Sequence, residues 1–449
     1  MMHGGSSARS SLKRLLGRSS VLMAARFAGA GLAFAGNVAI ARFMGADALG
    51  VFAMCMAAAS LIAVFLPLGR QATATLFVSE YLAKVKPALV RGYVSSGHKT
   101  IWSMTAIAAV CALVVALFAR QAELGQTLLI GALSVAMAPA LAFIGFNGGV
   151  LTGAHRQFSA LLPESILRPA FVLLAVLISV FAWQGQSSTA LVAVICIGCW
   201  CTAGLQAWLL RSREVVPAGV SEEREMGRWR ATSWPWMFIT LLWDYFIELH
   251  LLLAGMIATS AEIAVLHICF RLRVLAGFGM RALYAVLLPD MYGANATDNR
   301  KFLFRTISRA NALACAYAVA VCGGVWLLGE FALGLVDQSF RSAHTALIVM
   351  CLTMLARAIF GPATAVLSMK GHQLPSLWTL TGGLVVSVVL SLLLFPMLGI
   401  LGVAIAYLTA NTIIAIVQWQ LAWRLTGIDC SVFAFLRKSS ASPEVPAVA

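Results

Sequence analysis

The stretch LPSLWTLTGGLVVSVVLSLLLFPMLGILGVAIAYLTANTIIAIVQWQLAW, residues 374–423, runs for fifty residues without one charged side chain. A membrane-spanning helix needs about 20 mostly apolar residues. The stretch therefore fits two crossings, 374–397 and 399–424, divided at Pro396 and Gly399. No water reaches the bilayer core, so each crossing must pair its own backbone groups as a helix. Ten further segments read the same way: 20–44, 47–69, 99–119, 126–152, 169–184, 188–211, 233–258, 262–288, 308–335 and 343–368. The expected fold is an all-α polytopic membrane protein with twelve transmembrane helices.

Composition agrees. Of 449 residues, 61% are hydrophobic and 11% charged, and the mean hydropathy is +0.90. Soluble domains average about 45–50% apolar and about 25% charged. A soluble enzyme, a disordered tail and a secreted disulfide scaffold are all excluded. The run after Val21 is too long for a cleavable signal peptide and lacks a clear cleavage site.

The 32 Lys and Arg outnumber the 17 Asp and Glu, giving +15. With the N-terminus placed inside, 24 of the cations fall on inside segments, three outside (Arg42, Arg120, Arg341) and five within spans. Cytoplasmic loops collect Lys and Arg, so both termini are expected in the cytoplasm, and the surplus needs no nucleic acid. The longest soluble segments, about 70–98 and 212–232, lie inside. The second, RSREVVPAGVSEEREMGRWR, separates six helices from six and reads as a linker carrying an amphipathic surface helix. SLKRLLGRSSVL reads as an N-terminal interfacial helix.

The halves look related. VLTGAHRQ at Val150 resembles VLSMKGHQ at Val366, an offset of 216, and ADALGVFAMC near Ala46 lines up with TSAEIAVLHIC near Ser260 at 214. Six helices per half leave the repeats parallel, related by a pseudo-twofold axis along the membrane normal. The expected organisation is an N-terminal lobe over 1–211, a cytoplasmic linker over 212–232, a C-terminal lobe over 233–424 and a cytoplasmic tail over 425–449. Internal repeats of this kind mark transporters, with substrate bound at the repeat interface.

Charges inside spans are costly and are functional candidates. Here they are Arg26, Asp244, Glu248, Arg271, Arg273, Arg281 and Arg357, joined by His250 and His267. Asp244 and Glu248 are four apart and share a face of an unbroken helix. Two readings stay open. In one, Asp244 forms a structural ion pair with Arg271 or Arg273. In the other, five arginines that two carboxylates cannot neutralise line a cationic, water-filled cavity. Such a cavity suits a phosphate or pyrophosphate. His250 reads as a packing residue, and Asn37, Asn147, Asn411 and Gln418 as partners in helix–helix hydrogen bonds. Trp102, Trp183, Trp234 and Trp236 suit interfacial belts.

Cys196, Cys199 and Cys201 approach metal-ligand spacing, but the run around them has no His or carboxylate and a structural zinc needs four ligands. No metal site is expected. Neither a phosphate-binding P-loop nor a dinucleotide fingerprint is present, so no nucleotide cofactor is expected.

Several segments resemble polysaccharide flippases. ARFMGADALGVFAM is similar to their "lGaeelGlfal" signature after helix 1. IAVLHICFRL resembles the start of their helix 8, small-x-Tyr-x-x-Ala-x-Arg-Leu, with His267 near the usual aromatic and Arg271 matching the arginine. LGILGVAIAYL (398–408) is similar to their entry to helix 12, and VLSMKGHQ to the end of helix 10. In order over nearly the whole chain, these motifs resemble an O-antigen or exopolysaccharide flippase of the Wzx type, in the multidrug/oligosaccharidyl-lipid/polysaccharide exporter superfamily. The resemblance implies a transporter, not an enzyme, that turns undecaprenyl-pyrophosphate-linked oligosaccharides across the bacterial inner membrane for lipopolysaccharide or exopolysaccharide synthesis. It implies two six-helix lobes that open alternately. The candidate substrate-binding set is Arg26, Arg271, Arg273, Arg281 and Arg357; Arg271 sits on a motif shared with the family, and the others enter by their depth in the spans. Asp244 and Glu248 are candidates for coupling to H+ or Na+. The implied partners are the lipid-linked oligosaccharide and membrane lipids, with the pathway's polymerase and chain-length proteins as candidates. The rivals are a multidrug/cation antiporter of the same superfamily, whose cavity should be acidic or apolar, a lipid II flippase, typically of fourteen helices, and a membrane glycan polymerase or ligase, which needs catalytic residues on a sizeable outer loop.

Overall fold

A computed structural model of the chain describes residues 4–119, 125–183, 187–212, 215, 219–296, 300–370 and 372–432. Among these there is no strand. The helices are α1 (Gly4–Met44), α2 (Ala46–Phe65), α3 (Arg70–Ala83), α4 (Pro87–Ala119), α5 (Gly125–Gly153), α6 (Gln157–Leu162), α7 (Arg168–Trp183), α8 (Ser188–Ser212), α9 (Met226–Asp244), α10 (Phe246–Ala254), α11 (Ser260–Ala296), α12 (Arg300–Val336), α13 (His344–Phe360), α14 (Ala363–Met369), α15 (Gln373–Leu398) and α16 (Ile400–Thr426). A π-helical turn, Pro163–Leu167, joins α6 to α7, and a 3-10 turn, Gln338–Ala343, leads into α13. Arg120, Arg437, Lys438, linker residues 213, 214 and 216–218 and most of the expected tail lie outside the described residues. So do the side chains of the N-terminal turns of α1.

Among the described residues eleven segments are long and apolar enough to span a membrane, and α9 with α10 supplies a twelfth if that pair, bent by 66°, is one broken span. Four local expectations change. Residues 70–98, read as soluble chain, fold as α3 and the first turns of α4, because a tight turn at 84–86 is closed by Lys86 N–H on the Tyr81 carbonyl, 2.9 Å. No surface helix forms over 219–225; α9 begins at Met226 and continues into the span. The seventh span breaks at Tyr245 (φ −113°, ψ 18°), with Asp244 ending α9 and Glu248 in the first turn of α10. Those two carboxylates therefore do not share one continuous helix face. The tenth span breaks at Gly361 and Pro362, where Pro362 has no N–H to continue the ladder.

Packing divides the chain into Met1–His267 and Ile268–Ala449, a division by contact where the expected lobes are a division by repeat. In the first unit α5 is the hub and packs against α2, α3, α4, α6 and α8. Gly145, Gly149 and Gly153, one per turn, face α3. A methyl group on them would stand 2.7 Å from Gln71 Oε1, 2.9 Å from Ala74 Cβ and 3.0 Å from Val78 Cβ respectively. In hydrocarbon, helix association depends on such small-residue approach and dispersion rather than on a hydrophobic driving force. In the second unit α16 is the hub, against α13, α14 and α15. The Gln418 amide ties it in: Nε2 donates to Ser376 Oγ at 3.1 Å and Oε1 accepts from Thr364 Oγ1 at 2.8 Å.

The repeat motifs take the same local form. Arg156 N–H bonds the Leu151 carbonyl at 2.8 Å, and 216 residues later His372 N–H bonds Leu367 at 2.9 Å. A helix starts one residue on in each case, at Gln157 and Gln373. The second motif pair marks the starts of α2 at Ala46 and α11 at Ser260.

Gly361 carries the sharpest constraint of the second unit. Its φ is +72°, and a Cβ there would stand 1.8 Å from the Cys430 carbonyl, which also accepts 2.6 Å from Asn311 Nδ2. Gly427 has a similar φ of +68° but open space around it. Gly361→Ala should cost about 2–4 kcal/mol, and Gly427→Ala about 1 kcal/mol from backbone conformation alone. Melting of the detergent-solubilised protein checks this; equal drops in the two variants contradict the packing assigned to Gly361.

Candidate functional site

Three of the five intramembrane arginines converge within the second unit. Arg273 and Arg281 on α11 and Arg357 on α13 line a cavity of about 200 Å³, with Tyr284, Thr364 and Gln418 on its wall. Residues eight apart on a helix lie a little over two turns apart and about 80° round the axis, so Arg273 and Arg281 share one broad side of α11. Arg357 lies in the last turn of α13, where the carbonyl end of the helix dipole favours a cation, and it is electrostatically coupled to both other arginines. The break at Gly361–Pro362 opens the wall beside it.

The contacts of Arg273 orient its charge without cancelling it. Arg273 Nε and Nη2 both donate to Thr353 Oγ1, at 3.3 and 3.2 Å, and its guanidinium lies 5.4 Å from the centre of the Tyr407 ring. Thr353 Oγ1 in turn donates a hydrogen bond to the Met350 carbonyl at 2.6 Å. No Asp or Glu lines the cavity among the described residues. Arg281 and Arg357 are exposed and Arg273 half-buried, so guanidinium groups set deep in apolar helices stay reachable from the cavity. Forked, permanently charged donors with neutral supports can grip a phosphate or carboxylate bidentately.

The other sequence-derived residues fall elsewhere. Arg271, exposed on α11, does not line this cavity; a two-residue step turns a helix by about 200°, away from Arg273. Arg26 is exposed on α1 in the first unit. Asp244 and Glu248 also belong to the first unit, on either side of the Tyr245 break. His250 is buried, with Nδ1 2.7 Å from the Phe246 carbonyl and its ring 4.6 Å from the Phe246 ring, a packing role. His267 joins helices: its Nε2 is 3.1 Å from Asn37 Oδ1 on α1. Asn147 and Gln418 likewise link neighbouring helices, whereas Asn411 donates to Tyr407 of its own helix.

A polar clasp in the first unit went unread in the sequence. Arg228 of α9 donates Nη2 to Glu80 of α3 at 2.6 Å and Nη1 to Glu225 at 3.2 Å, and its guanidinium lies 5.3 Å from the Phe77 ring centre. Trp229, fully buried, donates Nε1 to the Tyr81 hydroxyl at 2.7 Å, and Tyr81 donates on to Glu225 at 2.7 Å. Beside it the buried Arg70 donates to Ser96 Oγ at 2.6 Å. The Arg228 and Lys84 donors hold the Glu80 carboxyl down at about 2, and burial pushes the Tyr81 phenol up to about 12. The clasp straps the start of α9 to α3. The only sequence signal for it is opposite charge in 222–230 and 80–86.

A family model described as "Polysaccharide biosynthesis protein" matches residues 15–291. No curated protein matches the sequence. Among solved structures, the chain is similar to an inward-facing multidrug resistance MATE family transporter of the MOP superfamily, at 15% identity over 92% of this chain and 96% of that one, TM-score 0.71. It is also similar to the lipid II flippase MurJ in an inward closed conformation, at 14% identity over 89% and 87%, TM-score 0.71. A third is a MOP superfamily transporter from Pyrococcus furiosus, whose description speaks of a reversed polarity of the binding pocket, at 15% identity over 90% and 94%, TM-score 0.62. At such identities the likeness shows the fold, that of the two-lobed MOP transporters.

Glu80 yields a pH prediction. A carboxyl held below its ordinary 4.5 stabilises the fold above that pH and loses the contribution as pH falls toward 2. Because the pair is partly exposed, its worth is modest. Glu80→Gln should melt about 1–2 °C below the native protein at pH 6, with the gap narrowing below pH 4.5 and closing near pH 2. A gap undiminished at pH 2 would show that Glu80 does not act through its charge.

Proposed function

The chain belongs to the polysaccharide biosynthesis protein family, and from that premise we propose that it is a flippase for lipid-linked oligosaccharides. It carries undecaprenyl-pyrophosphate-linked repeat units by alternating access across the bacterial inner membrane, with both termini cytoplasmic, to supply O-antigen or exopolysaccharide. The observation that supports this reading is the cavity of Arg273, Arg281 and Arg357, with no acidic residue on its wall among the described residues. Such a site fits a pyrophosphate and repels a cation, which sets the cation-antiporter reading aside. Arg273 and Arg357 grip the phosphates, and Arg281 takes the charge nearer the sugar end or the membrane surface.

The cargo's negative charge moves toward the outside-positive face, and one charge crossing 100 mV is worth about 2.3 kcal/mol. The potential therefore favours export. Proton or sodium exchange through Asp244 and Glu248, set at the break in the seventh span, adds to that force.

Loss of a charge-assisted contact to phosphate costs about 1.5–3 kcal/mol, or about 10- to 100-fold. Arg273→Ala and Arg357→Ala should each reduce transport of lipid-linked oligosaccharide in proteoliposomes by about tenfold or more, with Arg273→Lys falling between because lysine keeps the charge but not the fork. Native-level transport by the alanine variants at equal abundance would make these arginines structural. Asp244→Asn with Glu248→Gln should abolish dependence on the ion gradient and spare transport driven by the potential. Full gradient dependence in that double variant removes both carboxylates from coupling.

A further inference from the structure

The first unit carries a second cavity, of about 800 Å³, on the flank where α4, α5 and α8 meet. It has no part in the reading above. Three cations line it: Arg91 and Lys99 on α4 and Arg211 in the last turn of α8. Its one carboxylate, Glu222, is held by Arg224 at 2.9 Å, and no salt bridge engages Lys99 or Arg211 among the described residues. The cavity is cationic.

Its depth is set by helix length. α4 has 33 residues, about 50 Å at 1.5 Å per residue, against a hydrocarbon thickness of about 30 Å. Counted back about 27 Å from the apolar end of that span, Leu117, Lys99 falls at the hydrocarbon edge. Arg91 and Arg211 stand further out, at headgroup level. Below Lys99 the lining turns apolar. Trp102 of α4 and Trp200 of α8 stack at 5.9 Å, with Phe143 of α5 5.3 Å from Trp102. Trp102 is 55% exposed, so the slot opens sideways, toward lipid, and Gly204 and Ala207 leave room along α8.

A second observation points to a ligand. Asn147 lines the cavity, is 1% exposed, and spends its Oδ1 on His98 Nε2 at 2.8 Å, while its Nδ2 has no acceptor. A buried amide donor without an acceptor is costly. Beside Lys99 and beneath two arginines, the acceptor that would satisfy it is an anionic oxygen.

We propose that this groove binds an anionic phospholipid from the leaflet that the Lys/Arg asymmetry assigns to the cytoplasm, its phosphate held by Lys99, Arg211, Arg91 and the Asn147 amide and an acyl chain laid along Trp102 and Trp200. The charge ladder above an apolar, laterally open slot matches an amphiphile and not a soluble anion. Basic pockets between helices at headgroup level are suited to such lipids. The site is separate from the Arg273–Arg281–Arg357 cavity, so it stands whatever the cargo is.

The test is lipid binding rather than transport. The full chain in detergent is titrated with phosphatidylglycerol, with phosphatidylcholine of the same chains, and with inorganic phosphate, and bound lipid is read by native mass spectrometry and by melting temperature. The native protein should retain phosphatidylglycerol over phosphatidylcholine and be stabilised by it, and inorganic phosphate should not compete. Lys99→Gln and Arg211→Gln should each weaken phosphatidylglycerol binding by about fivefold or more, Asn147→Leu should weaken it too, and Lys99→Arg should restore it. Melting in phosphatidylcholine shows whether each variant is folded. Equal retention of the two lipids, unchanged binding by the folded Lys99 and Arg211 variants, or displacement by inorganic phosphate overturns the proposal.

Discussion

A peptide group in hydrocarbon has no water to bond, so its N–H and C=O must find partners in the same chain. Uninterrupted helix is the default solution, and it makes the interruptions the informative places. Gly361 makes the last bond of the ladder, its N–H donating to the Arg357 carbonyl at 3.0 Å, and Pro362 has no N–H to continue it. At Tyr245 the chain bends yet keeps bonds across the corner, from Tyr245 N–H to Leu241 and from Leu249 N–H to Tyr245. The intramembrane charges of both spans adjoin these corners: Asp244 and Glu248 at one, Arg357 at the other. A break widens the space between helices, and that is where a charge can keep its hydration. The same constraint accounts for the hubs, since α5 and α16 approach their neighbours through glycine and alanine.

Two polar regions handle charge in opposite ways. In the clasp, Arg228 meets Glu80 and Glu225, and Tyr81 and Trp229 complete the network. Each charge there is spent on holding α9 to α3. In the cavity of the second unit, Arg273 is positioned by a hydroxyl and an aromatic face, both neutral. Neutral supports fix direction and leave the field intact. That difference, rather than depth in the membrane, is what sets the proposed binding charge apart from a structural ion pair.

Hydropathy alone located the crossings, because long apolar runs have one solution in lipid, but some ends differ by a dozen residues: the third span begins at Pro87 rather than 99 and the fifth at Gln157 rather than 169. The corner at Tyr245 was not legible: WDYFIELH contains no proline or glycine, and only the helical spacing of Asp244 and Glu248 was available, which assumed an unbroken helix. Pro362 was visible, yet the apolar run continues through it and hid the break. α3 was passed over because its polar residues, RQATATLFVSEYLA, read as loop when only apolar length is counted. Arg271 and Arg273 were grouped by depth, although their two-residue spacing already sends them to different sides of one helix. The clasp and the α4–α5–α8 groove join residues over a hundred positions apart, and only the fold brings them together.

A guanidinium does not give up its proton in a protein, so the cavity of Arg273, Arg281 and Arg357 holds the same charge in acid and in alkali. If the proposed function holds, it behaves as a fixed-charge ion exchanger. Small anions from the bath then take the place of departing cargo, in numbers that electroneutrality sets. On that reading unloading is a swap of one anion for another rather than a simple dissociation. The composition of the far compartment then becomes a term in the turnover.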